Sequence, residues 1–345
     1  MTSYVYLKTR LYQGRIRRRV LIFSATVVAT ITVVGLTALM LGDYPLTLAQ
    51  TFSAVVGQAT DHLANFFVRD IRLPRVLGAV LVGVSLGVAG AIFQALTRNP
   101  LGSPDITGFS VGAATGAVVQ IIVFNTGPFA TGVAAIVGGL LTGAIVFGFS
   151  RSSGINGIHF VLVGMGLSFI LQALNTLLLV KAELSAAQTA QLWLAGSLHG
   201  IGWSQVGFLA LVLAFLLPLT FAASGDLTIM TTGDDVASGL GVNVQAQRGR
   251  LLALGVTFTA VSVAVAGPIG FVALAAPQLA RKISGTATAG VGVAALMGAV
   301  VVLVSDVIAQ RLFAPTQLPV GVITGVVGGV YLMWILYREW KGHWA

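Results

Sequence analysis

The stretch RDIRLPR places three arginines, Arg69, Arg72 and Arg75, directly before a long apolar run. Each guanidinium group offers a planar fork of donors that matches a carboxylate. Such a cluster can therefore recognise an acidic partner, provided that it lies on an accessible surface. The second charged feature is an acidic pair, Asp234 and Asp235, in a polar stretch far along the chain. The chemistry that these residues offer is ionic recognition rather than bond making.

Residue patterns that support catalysis or metal binding are missing from the sequence. It contains no HExxH metal motif, no GxSxG nucleophile elbow and no P-loop, so it cannot bind ATP through a P-loop. With no cysteine, it cannot form disulfides, zinc–thiolate sites, iron–sulfur clusters or a cysteine nucleophile. The histidines are too scattered to suggest a metal cage; they are His62, His159, His199 and His343. We therefore expect no enzyme activity and no cofactor bound by this chain.

The composition indicates a protein that crosses a membrane many times. Of the 345 residues, 56% are hydrophobic and 8% are charged, and the mean hydropathy is +0.95. Almost the whole chain must therefore sit in an apolar solvent. The 43 glycines fit helices that pack closely in lipid. The first apolar stretch follows RIRRR, but it is too long for a signal peptide and lacks a clear cleavage site, so we expect a retained first helix.

Ten apolar stretches are candidates for membrane-spanning helices, which need about 20 mostly apolar residues each. They are 20–41, 73–97, 107–125, 130–149, 158–180, 205–223, 250–266, 269–281, 288–309 and 319–337. The seventh and eighth are separated only by GPIG, so they could instead form one interrupted helix, which would change the number of crossings. We expect an all-α fold in which residues 1–345 form a single transmembrane domain.

Two stretches are too polar to span the membrane. Residues 42–71 have apolar side chains at loose helical spacing, which predicts an amphipathic helix at the outer surface. Residues 224–249 form the longest polar stretch in the second half of the chain, and their small apolar residues and paired glycines favour short folded helices on the cytoplasmic side.

The distribution of basic residues predicts the orientation of the helices. With ten spans and the N terminus inside, 14 of the 19 Lys and Arg residues fall on the cytoplasmic side. This split agrees with the excess of basic residues usual in cytoplasmic loops. The five that fall outside are Arg69, Arg72, Arg75, Lys181 and Arg311. The arginine cluster therefore lies outside, against the trend of the rest of the chain.

The predicted spans contain few ionisable groups. An ion-driven carrier generally needs carboxylates or histidines within the membrane, whereas the polar residues in mid-span here are neutral. They are Gln94, Gln120, Gln172 and Asn175. Hydrogen bonding between helices explains these amides. Because no proton relay is visible, the sequence disfavours an ion-coupled transporter and indicates that energy for transport enters elsewhere.

Two short features point to a transport mechanism. SLGVAGAI at 85–92 and SVAVAGPI at 262–269 share several small residues and lie in helices predicted to run in opposite directions. Inverted repeats of this kind are typical of transporters, with the pathway at the repeat interface. The turn TRNPLGSPDITG at 97–108 interrupts the chain where the second helix reaches the inner face. This turn is either a plain connection or part of a gate.

The ordered set of motifs resembles the permease subunits of type II ABC importers, the family that takes up ferric siderophores, haem and vitamin B12. The matching stretches are RLPR, GVAGAIFQALTRNPLGSPDITGFSVGAATGA, AGSLHGIGW, GDDVASGLGVNV, AGPIGFVALAAPQLARKISG and QLPVGVITGVVGGVYL. The resemblance implies ten helices per subunit, with helices 2–5 and 7–10 related as an inverted repeat. NPLGSPDITGFS, AGSLHG, ARKISGT and QLPVGVIT look most like the ferric-enterobactin branch, whose transporter pairs two different permease chains. The implied cargo is a catecholate ferric siderophore, with haem, vitamin B12 or another chelate as the alternatives.

The resemblance also implies roles for individual residues. Outer arginines match family residues that pair with glutamates of a substrate-binding protein; they are Arg72, Arg75 and Arg311. A second group matches the coupling helices that contact the ATPase; it consists of Asp234, Asp235, Gly239 and Gly241. The acidic pair is predicted to cap the first of two short helices, and the glycines to allow the turn into the second. Asn99 and Leu101 match residues of the cytoplasmic gate. Snorkelling near lipid headgroups is the alternative role of the arginines.

The sequence departs from the family at two places. The loop before the fifth helix reads INGIHF and lacks the small hydroxyl residues of the vitamin B12 branch, so its gate geometry differs from that branch. Gln278 stands where many relatives carry His, and we assign no special role to it.

The implied partners are two copies of an ABC ATPase, which use ATP and Mg, a second and different permease chain, and a periplasmic or lipid-anchored substrate-binding protein. The chain would lie in the bacterial inner membrane with both termini in the cytoplasm. Because the chelator encloses the iron of a ferric siderophore, transport needs no metal ligands from the protein.

Overall fold

The structure is a computed structural model that describes residues 4–9, 12–42, 44–151, 157–286 and 290–342. Nearly all regular structure in these residues is helical, which confirms the predicted all-α class. The α-helices are α1 (Arg18–Met40), α2 (Leu48–Val56), α3 (His62–Phe66), α4 (Leu73–Thr97), α5 (Phe109–Val119), α6 (Pro128–Arg151), α7 (Gly157–Lys181), α8 (Leu184–Leu194), α9 (Trp203–Ala222), α10 (Ser224–Met230), α11 (Asp234–Gly239), α12 (Val244–Ala266), α13 (Val272–Ser284), α14 (Val291–Arg311) and α15 (Val320–Gly342). Two π-helical turns, Phe67–Arg72 and Gln120–Phe124, join α3 to α4 and extend α5.

Each of the ten predicted spans corresponds to a helix in the described part of the chain. Seven helical runs are long and apolar enough to cross a membrane: α1, His62–Thr97, α6, α7, α9, α12 and α14. Two shorter apolar helices, Phe109–Phe124 and Val320–Trp334, and the 13-residue α13 account for the other three. At 1.5 Å per residue, α13 is only about 20 Å long. It begins partway along its neighbour α4, where Ala273 lies against Gly90.

The chain reverses at GPIG, so α12 and α13 are separate helices. Gly267, with φ 70°, follows the last residue of α12. Nε2 of Gln94 donates to the carbonyl oxygen of Leu274, and Nε2 of Gln278 donates to that of Pro100. These contacts show that α13 runs parallel to the end of α4. Helix α12 runs antiparallel to α4, because Ser85 of α4 bonds to Phe258 while Ser262 of α12 bonds to Val82. The alternative of one interrupted helix is therefore wrong, and α12 and α13 run in opposite directions.

The predicted inverted repeat is visible where α4 crosses α12. Oγ of Ser85 in α4 donates to the carbonyl oxygen of Phe258 at 2.8 Å, and Oγ of Ser262 in α12 donates to that of Val82 at 3.4 Å. Both serines are buried, and both are the first residues of the matching stretches in the sequence. Each helix thus donates a serine hydroxyl to a backbone carbonyl of the other, and this reciprocal contact fits two halves related by a twofold axis.

The neighbours of α4 and α12 follow the same symmetry, since α4 packs on α14 and α12 packs on α6. A Cβ added at Gly83 of α4 would lie 2.3 Å from the carbonyl oxygen of Gly298, so these two backbones touch. A Cβ added at Gly139 of α6 would lie 2.9 Å from the Cβ of Ala260 in α12. Close approach through small residues is how helices associate in lipid. The many glycines therefore serve the packing of the two repeats.

Among the seven long apolar runs, those that contain α4, α12 and α14 are the most buried, and these helices pack at the centre of the bundle. By contrast, α1, α7 and α9 lie at the outside and expose large apolar side chains, such as Val33, Phe169 and Phe215. Exposed apolar surface of this extent marks contact with lipid or with another protein.

The N-terminal residues form a small β-hairpin, which the all-α prediction did not include. Strand β1 (Tyr4–Thr9) pairs antiparallel with β2 (Tyr12–Arg17), and Thr9 lies opposite Tyr12. Aromatic and β-branched residues, which favour strands, were the available signal. They were overlooked because the basic residues of this stretch were interpreted only as an orientation signal.

The segment 42–71 folds into a small cap rather than one amphipathic helix. Thr47 and Gln50 form a capping box at the start of α2, and Gly57, with φ 81°, ends this helix. Helix α3 and the π-turn follow. Apolar side chains of the segment form a cluster of their own, which consists of Leu46, Ala54, Ala64 and Val68.

Candidate functional site

The predicted docking arginines lie at one end of the bundle, which we call the arginine end (Arg72, Arg75 and Arg311). Arg72 directly precedes α4 and is 9% exposed. Its Nη1 donates to the carbonyl oxygen of Leu39, and its Nη2 to that of Tyr44, each at 2.7 Å. The last carbonyls of a helix have no partner within it. Arg72 therefore satisfies the end of α1 and ties it to α4.

Arg75 forms a buried ion pair with Asp306 of α14. Its Nη2 lies 2.9 Å from Oδ1 of Asp306, and its Nε lies 3.0 Å from Oδ2. Nη1 of Arg75 donates to Oε1 of Gln317 at 2.6 Å, and Nε2 of Gln310 donates to Oδ2 of Asp306 at 2.8 Å. Asp306 is only 1% exposed. Buried charges need both pairing and hydrogen bonds, and this pair has both within the chain.

Two other arginines at this end are more accessible. Arg311, the last residue of α14, is partly exposed, and the described residues offer it no ion-pair partner. Arg69 is exposed, and its backbone carbonyl accepts a hydrogen bond from Nε1 of Trp203 at 2.9 Å. The structure thus brings the arginines to one end but engages Arg72 and Arg75 internally. Their docking role stays a prediction.

A tyrosine–carboxylate contact supports the position of Arg72. The hydroxyl of Tyr44 donates to Asp61, which also accepts from the backbone N–H of Leu63 at 2.9 Å and so caps α3. The bond between the two side chains raises the pKa of Tyr44 and lowers the pKa of Asp61. The Tyr44 ring stacks on Phe67, with centroids 5.6 Å apart. These contacts fix the carbonyl that Arg72 binds.

The predicted coupling residues lie at the opposite end of α4, which we call the coupling end (α10, α11 and the start of α12). Asp234 and Asp235 occupy the first turn of α11, where negative charge suits the helix dipole. The sequence placed them at the first of two short helices, but they begin the second. The reason is that α10 forms directly after α9, and Gly233, with φ 123°, separates it from α11.

Helix α11 presents a small exposed surface. Gly239 is its last residue, and Gly241, with φ 86°, makes the turn towards α12. Val236 and Leu240 are 51% and 66% exposed, and Asp235 is exposed beside them. A rigid turn that carries two exposed apolar side chains is suited to fill a pocket of another protein.

Asp234 joins α11 to two arginines that sequence analysis did not single out. Nη2 of Arg248 in α12 lies 2.8 Å from both carboxylate oxygens of Asp234, and Nη2 of Arg98 lies 3.5 Å from Oδ1. Arg248 is 4% exposed. The signal for Arg248 was its place in the same polar stretch as the acidic pair. Arg98 was harder to find, because it is distant in sequence.

The predicted gate residues lie beside this ion pair, in residues 98–108, which we call the gate turn. Arg98 adopts the left-handed conformation, with φ 49°, and ends α4. Oδ1 of Asn99 accepts from the backbone N–H of Leu101 at 2.9 Å, so the asparagine shapes the turn. The Leu101 side chain is 46% exposed. The gate role itself stays a prediction.

The gate turn is fixed at two further points. Nε2 of Gln278 in α13 donates to the carbonyl oxygen of Pro100 at 2.6 Å, although no role was expected for this glutamine. Oδ2 of Asp105 accepts from the backbone N–H of Phe271 at 3.2 Å. The other predicted gate strand, INGIHF at 155–160, begins outside the residues that the structure describes.

A cavity of about 380 Å³ opens beside α5, α7 and α8. Its polar lining includes Asp105, Ser110, Gln172 and Asn175. Oγ of Ser110 donates to Oδ1 of Asp105 at 2.6 Å, and Oδ1 of Asn175 has no hydrogen-bond partner among the described residues. Hydrogen bonding between helices was expected for both amides, but they line a cavity instead. The structure therefore has a recess at one end of the gate turn whose mostly apolar lining carries a few polar groups.

Comparison with known proteins identifies the chain. The sequence pattern of the FecCD transport family matches residues 28–338. The chain belongs to the FecCD transport family. Among FecCD relatives, it is 42% identical to the ferric enterobactin transport system permease protein FepG of Escherichia coli strain K12, over 94% of this chain and 98% of FepG. It is 34% identical to the Fe(3+)-citrate import system permease protein YfmE of Bacillus subtilis strain 168, over 81% of this chain and 84% of YfmE.

A solved structure agrees with the FecCD assignment. A metal-chelate type ABC transporter in an inward-facing conformation has a TM-score of 0.82 and 26% sequence identity, covering 91% of this chain and 98% of that chain. This FecCD protein is therefore the multi-pass permease of a siderophore or metal-chelate ABC importer. It is a transport subunit and not an enzyme. The family resemblance read from the sequence motifs is confirmed.

Proposed function

We propose that the chain is one of two different permease subunits of an importer that moves a catecholate ferric siderophore across the bacterial inner membrane into the cytoplasm. The observation that carries the proposal is the 42% identity to FepG over 94% of the chain. The motifs NPLGSPDITGFS and QLPVGVIT favour the same branch. Haem, vitamin B12 or another chelate is the alternative cargo within the family.

In this proposal residues 1–345 form one transmembrane domain, and both termini lie in the cytoplasm. The excess of Lys and Arg on that side supports the orientation. It puts the arginine end outside and the coupling end inside. Two copies of an ABC ATPase bind ATP and Mg at the coupling end, while a substrate-binding protein delivers the chelate to the arginine end. The exposed apolar faces of the outer helices provide surface for lipid and for the second permease chain.

Docking of the binding protein depends on Arg72, Arg75 and Arg311. Because Arg311 has no ion-pair partner among the described residues, it can meet a carboxylate of the binding protein directly. Arg72 and Arg75 can do so only by exchanging their internal partners, and otherwise they hold the shape of the surface. Exposed pairs contribute about 0.2–1 kcal/mol each, so they orient the binding protein more than they hold it.

The energy of ATP hydrolysis reaches the permease through α11. Its exposed Val236 and Leu240 support binding of this helix in a pocket of the ATPase. Asp235 adds charge to this surface, and Gly241 allows the sharp turn into α12. ATP binding on the ATPase would move α11, and the two repeats would rock to open the pathway to alternate sides. Asn99 and Leu101 in the gate turn would close the pathway at the coupling end.

The experiment that tests the cargo is ATPase stimulation. The chain would be reconstituted with its second permease and its ATPase, and the binding protein would be loaded in turn with ferric catecholate, ferric hydroxamate, haem or cobalamin. We expect the ferric catecholate to give the strongest stimulation. Stimulation by another cargo alone would refute the catecholate proposal and leave the importer assignment standing.

A further inference from the structure

The gate turn contacts three separate parts of the protein. At its start, Arg98 meets Asp234 of α11. Two residues later, the carbonyl oxygen of Pro100 accepts from Gln278 of α13. Near its end, Asp105 accepts from the backbone of the α12–α13 connection and lines the cavity. One turn therefore reaches from the coupling end to the cavity beside α5, α7 and α8.

We propose that Arg98 is a positioning residue, whose ion pair with Asp234 transmits movement of the coupling helix α11 to the gate residues Asn99 and Leu101. The inference rests on the proposed function, because it requires α11 to receive the force of the ATPase. It adds a residue to the transport cycle that neither the family motifs nor the comparisons assign.

The two contacts of Asp234 differ in a way that suits this role. Arg248 binds both carboxylate oxygens at 2.8 Å, and its side chain is 5% exposed, so it anchors α11 to α12. Nη2 of Arg98 lies 3.5 Å from Oδ1 of Asp234, and its side chain is 40% exposed, so this pair can form in one state of the transporter and break in another. Asp234 is therefore held by the buried Arg248, while its contact with the exposed Arg98 is free to change.

The backbone position of Arg98 connects its ion pair with Asp234 directly to the gate residues. Arg98 holds the left-handed conformation, which is uncommon for a residue with a side chain. The next residue is Asn99, whose side chain shapes the turn through the N–H of Leu101. Gln278 holds Pro100 from the other side. Arg98 therefore lies between the end of α4 and Pro100, which Gln278 holds. A displacement of Asp234 reaches the gate turn at this position.

The substitution Arg98→Gln removes the ion pair between Arg98 and Asp234. It should leave the coupling end folded, because Asp234 keeps its two bonds to Arg248. The matched control is Arg250→Gln, which removes the same charge from an exposed residue of α12 with no ion pair among the described residues. Both variants, together with Arg98→Lys, would be reconstituted in liposomes with the second permease, the ATPase and the loaded binding protein. The readouts are the rate of ATP hydrolysis and the radiolabelled iron transported per ATP.

We expect Arg98→Gln to keep its stimulated ATP hydrolysis within about twofold but to transport at least about fivefold less iron per ATP, the lower end of typical couplings between sites. Arg98→Lys should regain most of the ratio, and Arg250→Gln should match the wild type. A normal ratio in Arg98→Gln would overturn the inference, as would equal losses of hydrolysis and transport. If the wild-type complex takes up no iron with ATP, the proposed function fails and this inference fails with it.

A second measurement observes the gate itself. Because the chain contains no cysteine, Leu101→Cys introduces a single thiol at an exposed position of the gate turn. In the assembled complex, the rate at which a thiol reagent modifies this cysteine should change on ATP binding. The change should be lost when Arg98→Gln is added. An unaltered response to ATP in the double variant would contradict the role of Arg98.

Discussion

Arg75 and Asp306 form a buried ion pair that joins the first turn of α4 to the last turns of α14, with Nη2 of Arg75 2.9 Å from Oδ1 of Asp306. The two helices belong to different halves of the inverted repeat. The pair therefore clamps the halves together at the arginine end. Asp234 and its arginines connect α11, α12 and the gate turn at the opposite end.

Removing one member of the buried pair should destabilise the protein strongly. Arg75→Leu leaves Asp306 as an uncompensated buried charge, for which the expected loss is about 3–5 kcal/mol. The measurement is the thermal unfolding midpoint of the purified chain in detergent. The double variant Arg75→Leu with Asp306→Leu should recover much of the loss, since no charge is left unpaired. An unfolding midpoint as low in the double variant as in the single one would contradict this account.

A substitution of Arg311 should weaken docking of the substrate-binding protein without unfolding the permease. Arg311→Glu should weaken association with the binding protein a few-fold, and the effect should shrink at high salt because exposed charges are screened. Lys181→Glu is the control, since Lys181 is exposed and lies outside the predicted docking set. Titration of the binding protein onto the reconstituted complex measures both variants. Equal behaviour of the two would count against the docking assignment.

The surface of α11 should govern assembly with the ATPase. Leu240→Asp places a charge on a side chain that is 66% exposed here and would be buried in the complex, so it should lower association at least about tenfold. Asp235→Lys should weaken association less. Co-purification from detergent is the readout, with unfolding temperature as the check on folding. A normal yield of complex from Leu240→Asp would argue that α11 does not contact the ATPase.

Glycine at the contact between the two repeats should be irreplaceable. Gly83→Val would force the backbones of α4 and α14 apart, because even a Cβ would lie 2.3 Å from the carbonyl oxygen of Gly298. We expect a loss of about 1–3 kcal/mol or more, as for overpacked cores. Gly148→Ala in α6 is the control, since a Cβ there meets nothing within 4 Å. Similar unfolding midpoints for the two variants would show that the close approach is not required.

The helices and their order followed from the sequence because lipid imposes a simple rule. In lipid, each span must satisfy its backbone hydrogen bonds within its own helix. Its side chains must also be mostly apolar, so each span appears in the sequence as a long apolar run. The short α13 was found for the same reason, even though its two basic residues, Arg281 and Lys282, lower its apolar character. The inverted repeat left only a trace in the sequence, because small residues at Ser85 and Ser262 are common in any close helix crossing. The reciprocal bonds of these serines became visible only in three dimensions.

The site was harder to predict than the fold. The arginines were located by their charge, but nothing in the sequence indicated that Arg75 faces Asp306, more than two hundred residues away. The same limit hid the contact of Arg98 with Asp234. Ion pairs between distant residues depend on how helices dock, whereas sequence patterns report which face of each helix is apolar. The N-terminal hairpin was missed because its basic residues were interpreted as an orientation signal.

The most direct test of the account is uptake of radiolabelled ferric catecholate into liposomes that contain this chain, its second permease and its ATPase, with the loaded binding protein outside. We predict uptake that requires ATP within the liposomes and the binding protein, and that persists when ion gradients are collapsed. Uptake driven by an ion gradient without ATP would contradict the account and identify a secondary transporter.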